Sequence, residues 1–270
     1  MRPDAGSWAA QVSGNREITL GVVIVLLPPS ETKRAGGDGP PLAVDALSWP
    51  ELGALRHELV NELVDLAADP QECRRALGIS PAQDAEIERN AALLGAPTLP
   101  SLRRYTGVLY DALDVESLRG AAATRARARL TVGSALFGLL RADDPIPAYR
   151  LSAGSKLPGR PGLPARWRPV LQPVLAEVAS RDLVVDMRSG AYVGLGRLEG
   201  AIRVDVIAEQ PDGRRNTVSH FNKAHKGRLA RALASAAADP DDAAGVAAIA
   251  RKAGMGVERD GNQLTIVVRD

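Results

Sequence analysis

Two short stretches hold most of the chemistry available to this chain. The first, Asn216-Thr-Val-Ser-His-Phe-Asn-Lys-Ala-His-Lys-Gly-Arg-Leu-Ala-Arg231, carries Lys223, Lys226, Arg228 and Arg231 beside His220 and His225 and contains no acid. Arg214 and Arg215 lie just upstream. Cations packed this closely repel one another, so the cluster is either a solvated helix face or a surface that waits for an anion. At or near a helix N-terminus, where free N–H groups and the dipole favour negative charge, these side chains suit phosphate. Arg125, Arg127 and Arg129 alternate with alanines and are expected on one face of a strand, where they would extend the footprint.

The second stretch is Ser30-Glu-Thr-Lys-Arg34, which follows an apolar run ending at Leu27. Sheets with parallel strands form ligand crevices beyond the carboxyl ends of those strands. Lys33 is therefore a candidate anion or base contact, with Glu31 as its partner; the plainer reading is a structural salt bridge in a loop. If Ser30, Glu31, Thr32 and Lys33 meet Tyr149, Arg150, Lys156, Asp186, Ser219, His220 and Asn222, the pocket is polar and nucleotide-sized. No Ser/His/Asp order, Walker loop or dinucleotide fingerprint accompanies them, so no reaction class follows from the sequence. Three histidines and one cysteine, with no acid near His220 and His225, point to neither a metal centre nor a cofactor.

Composition narrows the setting. The 270 residues are 45% hydrophobic and 24% charged, ordinary for a globular chain. The formal net charge of +2 is unevenly spread: residues 1–100 hold 8 Lys/Arg against 14 Asp/Glu, and residues 119–231 hold 20 against 9. Such asymmetry implies one face suited to a polyanion, unless the charges interleave in space. The lone Cys73 excludes an intramolecular disulfide and fits a reducing compartment. The apolar run Ile18 to Leu27 is about half of what a membrane span needs. A cytoplasmic location, no membrane partner and a monomer are the expectations.

The elements that must position these residues can be read in order. Residues 1–16 are expected as a disordered extension and 17–270 as one domain. Ile18–Leu27 reads as a strand buried on both faces and stopped by Pro28-Pro29. Leu52, Leu55, Leu59, Leu63 and Leu66 give a helix over 49–68, and Ser80-Pro81 opens another. Residues 99–113 read as irregular, and Asp114 as the cap of a helix reaching about Ala123. The alternation in Ala126-Arg-Ala-Arg-Leu-Thr-Val132 predicts a half-exposed strand, and Ala135–Leu140 a short helix. The proline-rich stretch 143–164 reads as an ordered loop or a linker, followed by a helix over 167–179 and a short strand at 183–186. Pro211-Asp-Gly213 marks a hairpin between strands 201–208 and 216–220. Helices over 222–238 and 241–253 and a last strand over 263–268 complete a mixed α/β, α+β-like fold: one domain with a central mixed sheet flanked by helices.

Five blocks in order resemble the YaaA family of peroxide stress proteins. They are Val25-Leu-Leu-Pro-Pro-Ser-Glu-Thr-Lys33, Thr106-Gly-Val-Leu-Tyr110, Gly133-Ser-Ala-Leu-Phe-Gly-Leu-Leu-Arg141, Asp144-Pro-Ile-Pro-Ala-Tyr-Arg-Leu151 and Ser219-His-Phe-Asn-Lys-Ala-His-Lys-Gly-Arg228. Departures are Phe137 and Phe221 in place of tyrosines, and the missing acid in Met187-Arg-Ser-Gly-Ala-Tyr192. The resemblance implies a protein that limits oxidative damage, with indirect effects on iron. It also implies a basic DNA-binding groove and a helix-hairpin-helix-like element, for which the helices over 222–253 are the natural place. On this reading the partner is DNA, duplex or distorted, bound by a non-enzymatic or weakly enzymatic protein. The alternative is an enzyme acting on a nucleotide, nucleobase or other phosphate-bearing small molecule at Lys33.

Overall fold

Ile24-Val-Leu-Leu27 is apolar on both faces, and such a strand needs cover on both sides. The structure, a computed structural model, provides it: all four residues are buried and the strand lies between two parallel neighbours. Residues 21–216 and 219–269 are described, the side chains of 219–221 excepted. The expected extension at 1–16, the first part of the expected strand at 18–20 and the hairpin residues 217–218 lie outside them.

In chain order the first strands are β1 (Ile24–Leu27), β2 (Gly39–Pro41), β3 (Pro97–Pro100), β4 (Leu130–Ser134), β5 (Gly138–Arg141) and β6 (Pro145–Ile146). They are followed by β7 (Val184–Asp186), β8 (Ile202–Glu209), β9 (Arg215–Asn216), β10 (Gly256–Asp260) and β11 (Gln263–Arg269). The helices of the first half are α1 (Gly53–Leu66), α2 (Pro70–Leu77), α3 (Ala85–Ala91), α4 (Ser101–Arg104), α5 (Val108–Leu113) and α6 (Gly120–Arg129). Those of the second half are α7 (Leu163–Arg181), α8 (Gly190–Val193), α9 (Ser219–Ser235) and α10 (Ala243–Lys252).

The fold is mixed α/β and forms a single domain. Its main sheet has eight strands in the order β10-β11-β8-β7-β1-β4-β5, with β9 pairing the far end of β8. β4, β1, β7, β8 and β11 run parallel, and the hairpin strands β5, β9 and β10 are antiparallel to their partners. A smaller sheet, β2-β3-β6, lies beside it. One apolar cluster runs from β1 and the Leu52, Leu59 and Leu63 face of α1 to Leu229 and Leu233 of α9.

Several expectations change. The Ala/Arg alternation at 126–132 is not a strand: its first part ends α6 and only Leu130 onward is β4. Alanine and arginine favour helix and no β-branched residue opposes them before Thr131. Ala135–Leu140 is not a helix: Ala135–Phe137 form the turn of the β4–β5 hairpin and Gly138–Leu140 begin β5, where Gly138 has φ 71° and a Cβ would sit 2.5 Å from the Trp167 ring. Ser134 holds that turn by accepting from the Leu136 and Phe137 N–H groups. Asp114 caps no long helix; it is the left-handed residue that ends α5. Residues 99–113 contain α4 and α5 instead of irregular chain. From Ser219 the backbone is helical, so the expected strand 216–220 stops at Asn216 within the described residues. The stretch 143–164 is no linker, since Tyr149, Leu151 and Leu157 are all buried.

Buried arginines tie the irregular pieces together through backbone carbonyls. Arg56 donates to Phe137 O at 2.9 Å and Leu139 O at 2.8 Å. Arg104 donates to Ile146 O at 3.0 Å, Pro97 O at 3.0 Å, Gly36 O at 2.8 Å and Arg34 O. Burial lowers both guanidinium groups to about 10, which leaves them charged at neutral pH. Arg104 thereby fastens the segment after β1, including the turn that carries Lys33, to β3 and β6. Replacing it by Met should remove about 3 kcal/mol of stability in urea unfolding, because one buried and three part-buried carbonyl bonds lose a charged donor. Arg104→Lys should restore little of it, since one ammonium cannot span the fork.

Candidate functional site

Because β1, β4 and β7 are parallel, their carboxyl ends share one edge of the sheet. That edge gathers the Pro28–Arg34 turn, Ser134 and the Asp186–Ser189 segment. The turn is held from the α5 side. Tyr110 Oη donates to Pro28 O at 2.8 Å, Thr32 Oγ1 donates to Thr106 O at 3.2 Å, and Lys33 forms a backbone bridge with Tyr105. Gly107, at φ 97°, lies so close that a Cβ would stand 3.2 Å from Thr32 Oγ1 and 3.4 Å from Ser30 Oγ.

Lys33 is the centre of this arrangement. Its Nζ donates to Ser30 O at 3.0 Å and Glu31 O at 3.4 Å, and lies 4.1 Å from the Tyr149 ring centroid and 5.4 Å from that of Tyr105. Burial is the main cause that brings its pKa from 10.5 down to about 7; the Glu86 carboxylate raises it and the Arg150 guanidinium lowers it. The side chain keeps part of its surface, so the amine is desolvated yet reachable. Beneath it a hydroxyl chain runs through buried groups, with Tyr105 Oη 2.9 Å from Tyr149 Oη and Tyr149 Oη 2.7 Å from Ser134 Oγ. Burial pushes the phenols of Tyr105, Tyr110 and Tyr149 well above 10, and that of Tyr192 up to about 12.

Charged groups surround the amine. Arg150, only 12% exposed, pairs at 3.0 Å with Glu31, which is 67% exposed. Asn90, fully buried, fixes the Arg150 backbone through bonds of 2.9 and 2.8 Å. Glu86 accepts from Arg89 at 2.6 Å through Oε1, while its Oε2 is buried without a partner among the described residues. Of the residues expected to converge, Ser30, Glu31, Thr32, Lys33, Tyr149 and Arg150 lie together at this turn.

Other expected members serve elsewhere. Asp186 is taken up by Arg188, whose Nε and Nη2 reach its two oxygens at 2.9 and 2.8 Å. Lys156 is exposed, and its N–H donates to Ala76 O at the end of α2. Asn222, on the first turns of α9, has its Oδ1 buried without a partner among the described residues. The side chains of Ser219 and His220 lie outside the described residues. Glu86, Tyr105 and Ser134 were absent from the sequence reading. Tyr105 and Ser134 fall in or beside the quoted blocks, which was a signal; Glu86, on an ordinary amphipathic helix, offered none.

The cationic footprint shrinks on folding. Arg125 donates to Ser235 O at 2.7 Å, and Arg129, 3% exposed, to Leu233 O and Ala236 O at 2.8 and 2.7 Å; both close the C-terminal end of α9. Arg127 is 3.7 Å from Asp143. Arg214 pairs with Asp212, Arg215 with Glu209 and Glu258, and Arg231 with Leu113 O and Asp114 O. Lys226 donates to Met187 O at 3.2 Å, which brings the start of α9 to the same sheet edge, and burial lowers its pKa. Lys223 and Arg228 are exposed and make no ion pair among the described residues. The α9–α10 connection spends its acids on structure as well: Asp239 lies 3.4 Å from Arg129, and Asp242 accepts from Gly245 N at 2.7 Å. Among the described residues no three His, Cys, Asp or Glu side chains gather as metal ligands, and no helix is long and apolar enough to cross a membrane.

A family model described as peroxide stress protein YaaA matches residues 23–252. A UPF0246 protein of Corynebacterium efficiens is 47% identical over 253 residues, covering 91% of this chain and all of that protein. A UPF0246 protein of Streptomyces coelicolor is 44% identical over 241 residues, 88% of this chain and 93% of its own length. An uncharacterized protein of Campylobacter jejuni is 26% identical over 208 residues, 76% of this chain and 82% of its own.

The lowered Lys33 pKa has a consequence for stability. Between about pH 7 and 10.5 the unfolded chain holds a proton on Lys33 that the folded chain has released, so this group makes stability rise with pH over that window. In Lys33→Met the rise should flatten, by up to about 1.4 kcal/mol per pH unit. Urea unfolding of both proteins from pH 7 to 9.5 measures the difference.

Proposed function

This chain belongs to the peroxide stress protein YaaA family, and we propose that it serves in peroxide resistance by binding DNA along the first half of α9. The observation that carries this reading is a pair of exposed cations, Lys223 and Arg228, with no ion pair among the described residues, on a helix whose start holds no acid. Their neighbours set the contrast. Arg125, Arg129 and Arg231 are tied to carbonyls, and Arg214 and Arg215 to carboxylates, so these five are not counted as phosphate contacts. Phosphate binding at the start of α9 gains from the helix dipole and displaces no ion pair of Lys223 or Arg228 among the described residues. Contacts of this kind position a protein on the duplex without reading bases. Protection therefore follows from occupancy, on duplex or distorted DNA alike. Any change in iron is indirect.

A second reading belongs to the sheet edge, where Lys33 and Arg150 lie together under a wall of tyrosines. That combination suits a phosphate-bearing small molecule better than a passing backbone phosphate, because only a compact ligand reaches a part-buried amine.

The DNA reading is tested by anisotropy titration of duplex and bubble DNA at several salt concentrations. Each phosphate contact adds about 0.9 to the slope of log K against log salt. Lys223→Ala with Arg228→Ala should lower that slope by about 2 and weaken all sequences equally. Arg215→Ala should leave the slope unchanged. Absence of binding at micromolar DNA in low salt ends the proposal.

A further inference from the structure

We propose that Lys33 is an amine nucleophile that forms an imine with an aldehyde carrying a nearby phosphate, Arg150 taking the phosphate and Glu86 carrying the proton. The argument starts from where the amine is held. Its two carbonyl partners, Ser30 O and Glu31 O, belong to its own turn, and the Tyr149 ring covers one flank at 4.1 Å. A neutral amine has two N–H bonds and one lone pair. With both hydrogens directed at the carbonyls, the lone pair is left for a ligand entering along the exposed part of the side chain. An amine titrating near 7 is about half neutral at pH 7, whereas an ordinary lysine at 10.5 is neutral about once in 3,000 molecules. Among the described residues none of the other four lysines, Lys156, Lys223, Lys226 and Lys252, lies over an aromatic ring, although burial lowers the basicity of Lys226 too.

Arg150 supplies the anion contact. Its guanidinium is 12% exposed and fixed through its buried backbone partner Asn90, while its carboxylate partner Glu31 is 67% exposed on the turn. An incoming phosphate can displace Glu31 to solvent and take both guanidinium N–H groups in its place. Glu86 is the carboxylate that acts most strongly on Lys33, and its buried Oε2 has no partner among the described residues. A buried acceptor left unpaired carries a cost that a ligand proton removes.

The step balances without an oxidant or reductant. The lone pair of Nζ attacks the carbonyl carbon, the C–N bond forms, and the π pair moves to oxygen. The attacking nitrogen sheds two protons in turn, each passed through water and Glu86 to that oxygen: the first makes the hydroxyl, the second lets it leave as water while the nitrogen pair closes the C=N bond. Two sources present this chemistry: a free phosphorylated aldehyde, or the ring-opened sugar aldehyde of an abasic site, which is flanked by phosphates. The first does not depend on the DNA reading; the second deepens it.

The full chain is incubated with glyceraldehyde 3-phosphate, with unphosphorylated glyceraldehyde, or with an abasic-site duplex, each with sodium cyanoborohydride. The adducts are then mapped by peptide mass spectrometry. Lys33 should take at least ten times more label than any other lysine, with an inflection in rate near pH 7. Lys33→Arg should lose that adduct while melting as a folded protein. Arg150→Gln should cut labelling by the phosphorylated aldehyde about tenfold and spare labelling by glyceraldehyde. Glu86→Gln should slow it with both aldehydes. Labelling by one phosphorylated probe alone upholds the amine and identifies the source. Label spread over the exposed lysines with Lys33 spared, no reductant-dependent adduct, or an inflection near 10 overturns the proposal. Loss of DNA affinity in Lys223→Ala with Arg228→Ala, with free-aldehyde trapping intact, separates this inference from the DNA reading.

Discussion

The fold depends on buried guanidinium groups that bond chiefly to backbone carbonyls, with a carboxylate in addition only where Asp239 lies 3.4 Å from Arg129. Arg56, Arg104 and Arg129 are each almost fully enclosed, and each reaches carbonyls 42 to 109 residues away in sequence. A helix end or hairpin turn leaves carbonyl oxygens without intrachain donors, and enclosing them unpaired is costly. A single fork with five N–H groups closes several at once. In this chain Arg56 closes the β4–β5 turn, Arg104 closes the segment around Arg34 and Gly36, and Arg129 closes the end of α9. The charge is retained because many oriented carbonyl dipoles replace the lost water.

The sheet edge follows from that framework. Three parallel strands end together, and the turn after β1 is held from below by Arg104 and from the side by Tyr110 and Thr106. With the turn rigid, Lys33 has no freedom to extend into solvent, and it pays in lowered basicity for a fixed position against Tyr149. Asp186 illustrates the opposite outcome at the neighbouring strand. Its two oxygens and the Arg188 fork satisfy each other inside the protein, and the pair braces the β7 end through Gly196 O. Position at a strand end is thus not sufficient for reactivity; what matters is whether the group is left with an unspent bond.

Family membership and site geometry answer different questions. The match over residues 23–252 ties the chain to peroxide stress. The geometry separates two chemistries at adjoining places: exposed cations on α9, suited to a polyanion, and a part-buried amine among tyrosines, suited to a compact ligand. Lys226 joins them physically, since its helix carries Lys223 and Arg228 while its amine rests on Met187 O at the sheet edge.

Much of the fold was legible from local pattern. The apolar run at β1, the leucine spacing of α1, the Pro211-Asp-Gly213 hairpin and the last strand each encode burial within a few residues, which periodicity reports directly. The β10 strand was missed because Gly256–Asp260 is largely exposed and carries no alternation of its own. The Ala/Arg stretch misled because a period of two with no branched side chains serves a helix equally well. At the site, residue pattern alone marks the turn bearing Ser30, Glu31, Thr32 and Lys33, and the family to which those residues belong. Which cations stay without an ion pair among the described residues, and which groups surround Lys33, depends on the packed fold. The reason is physical: a side chain's type sets what bonds it can make, whereas the oxygen that meets it comes from a segment far along the chain, and no local pattern records that meeting.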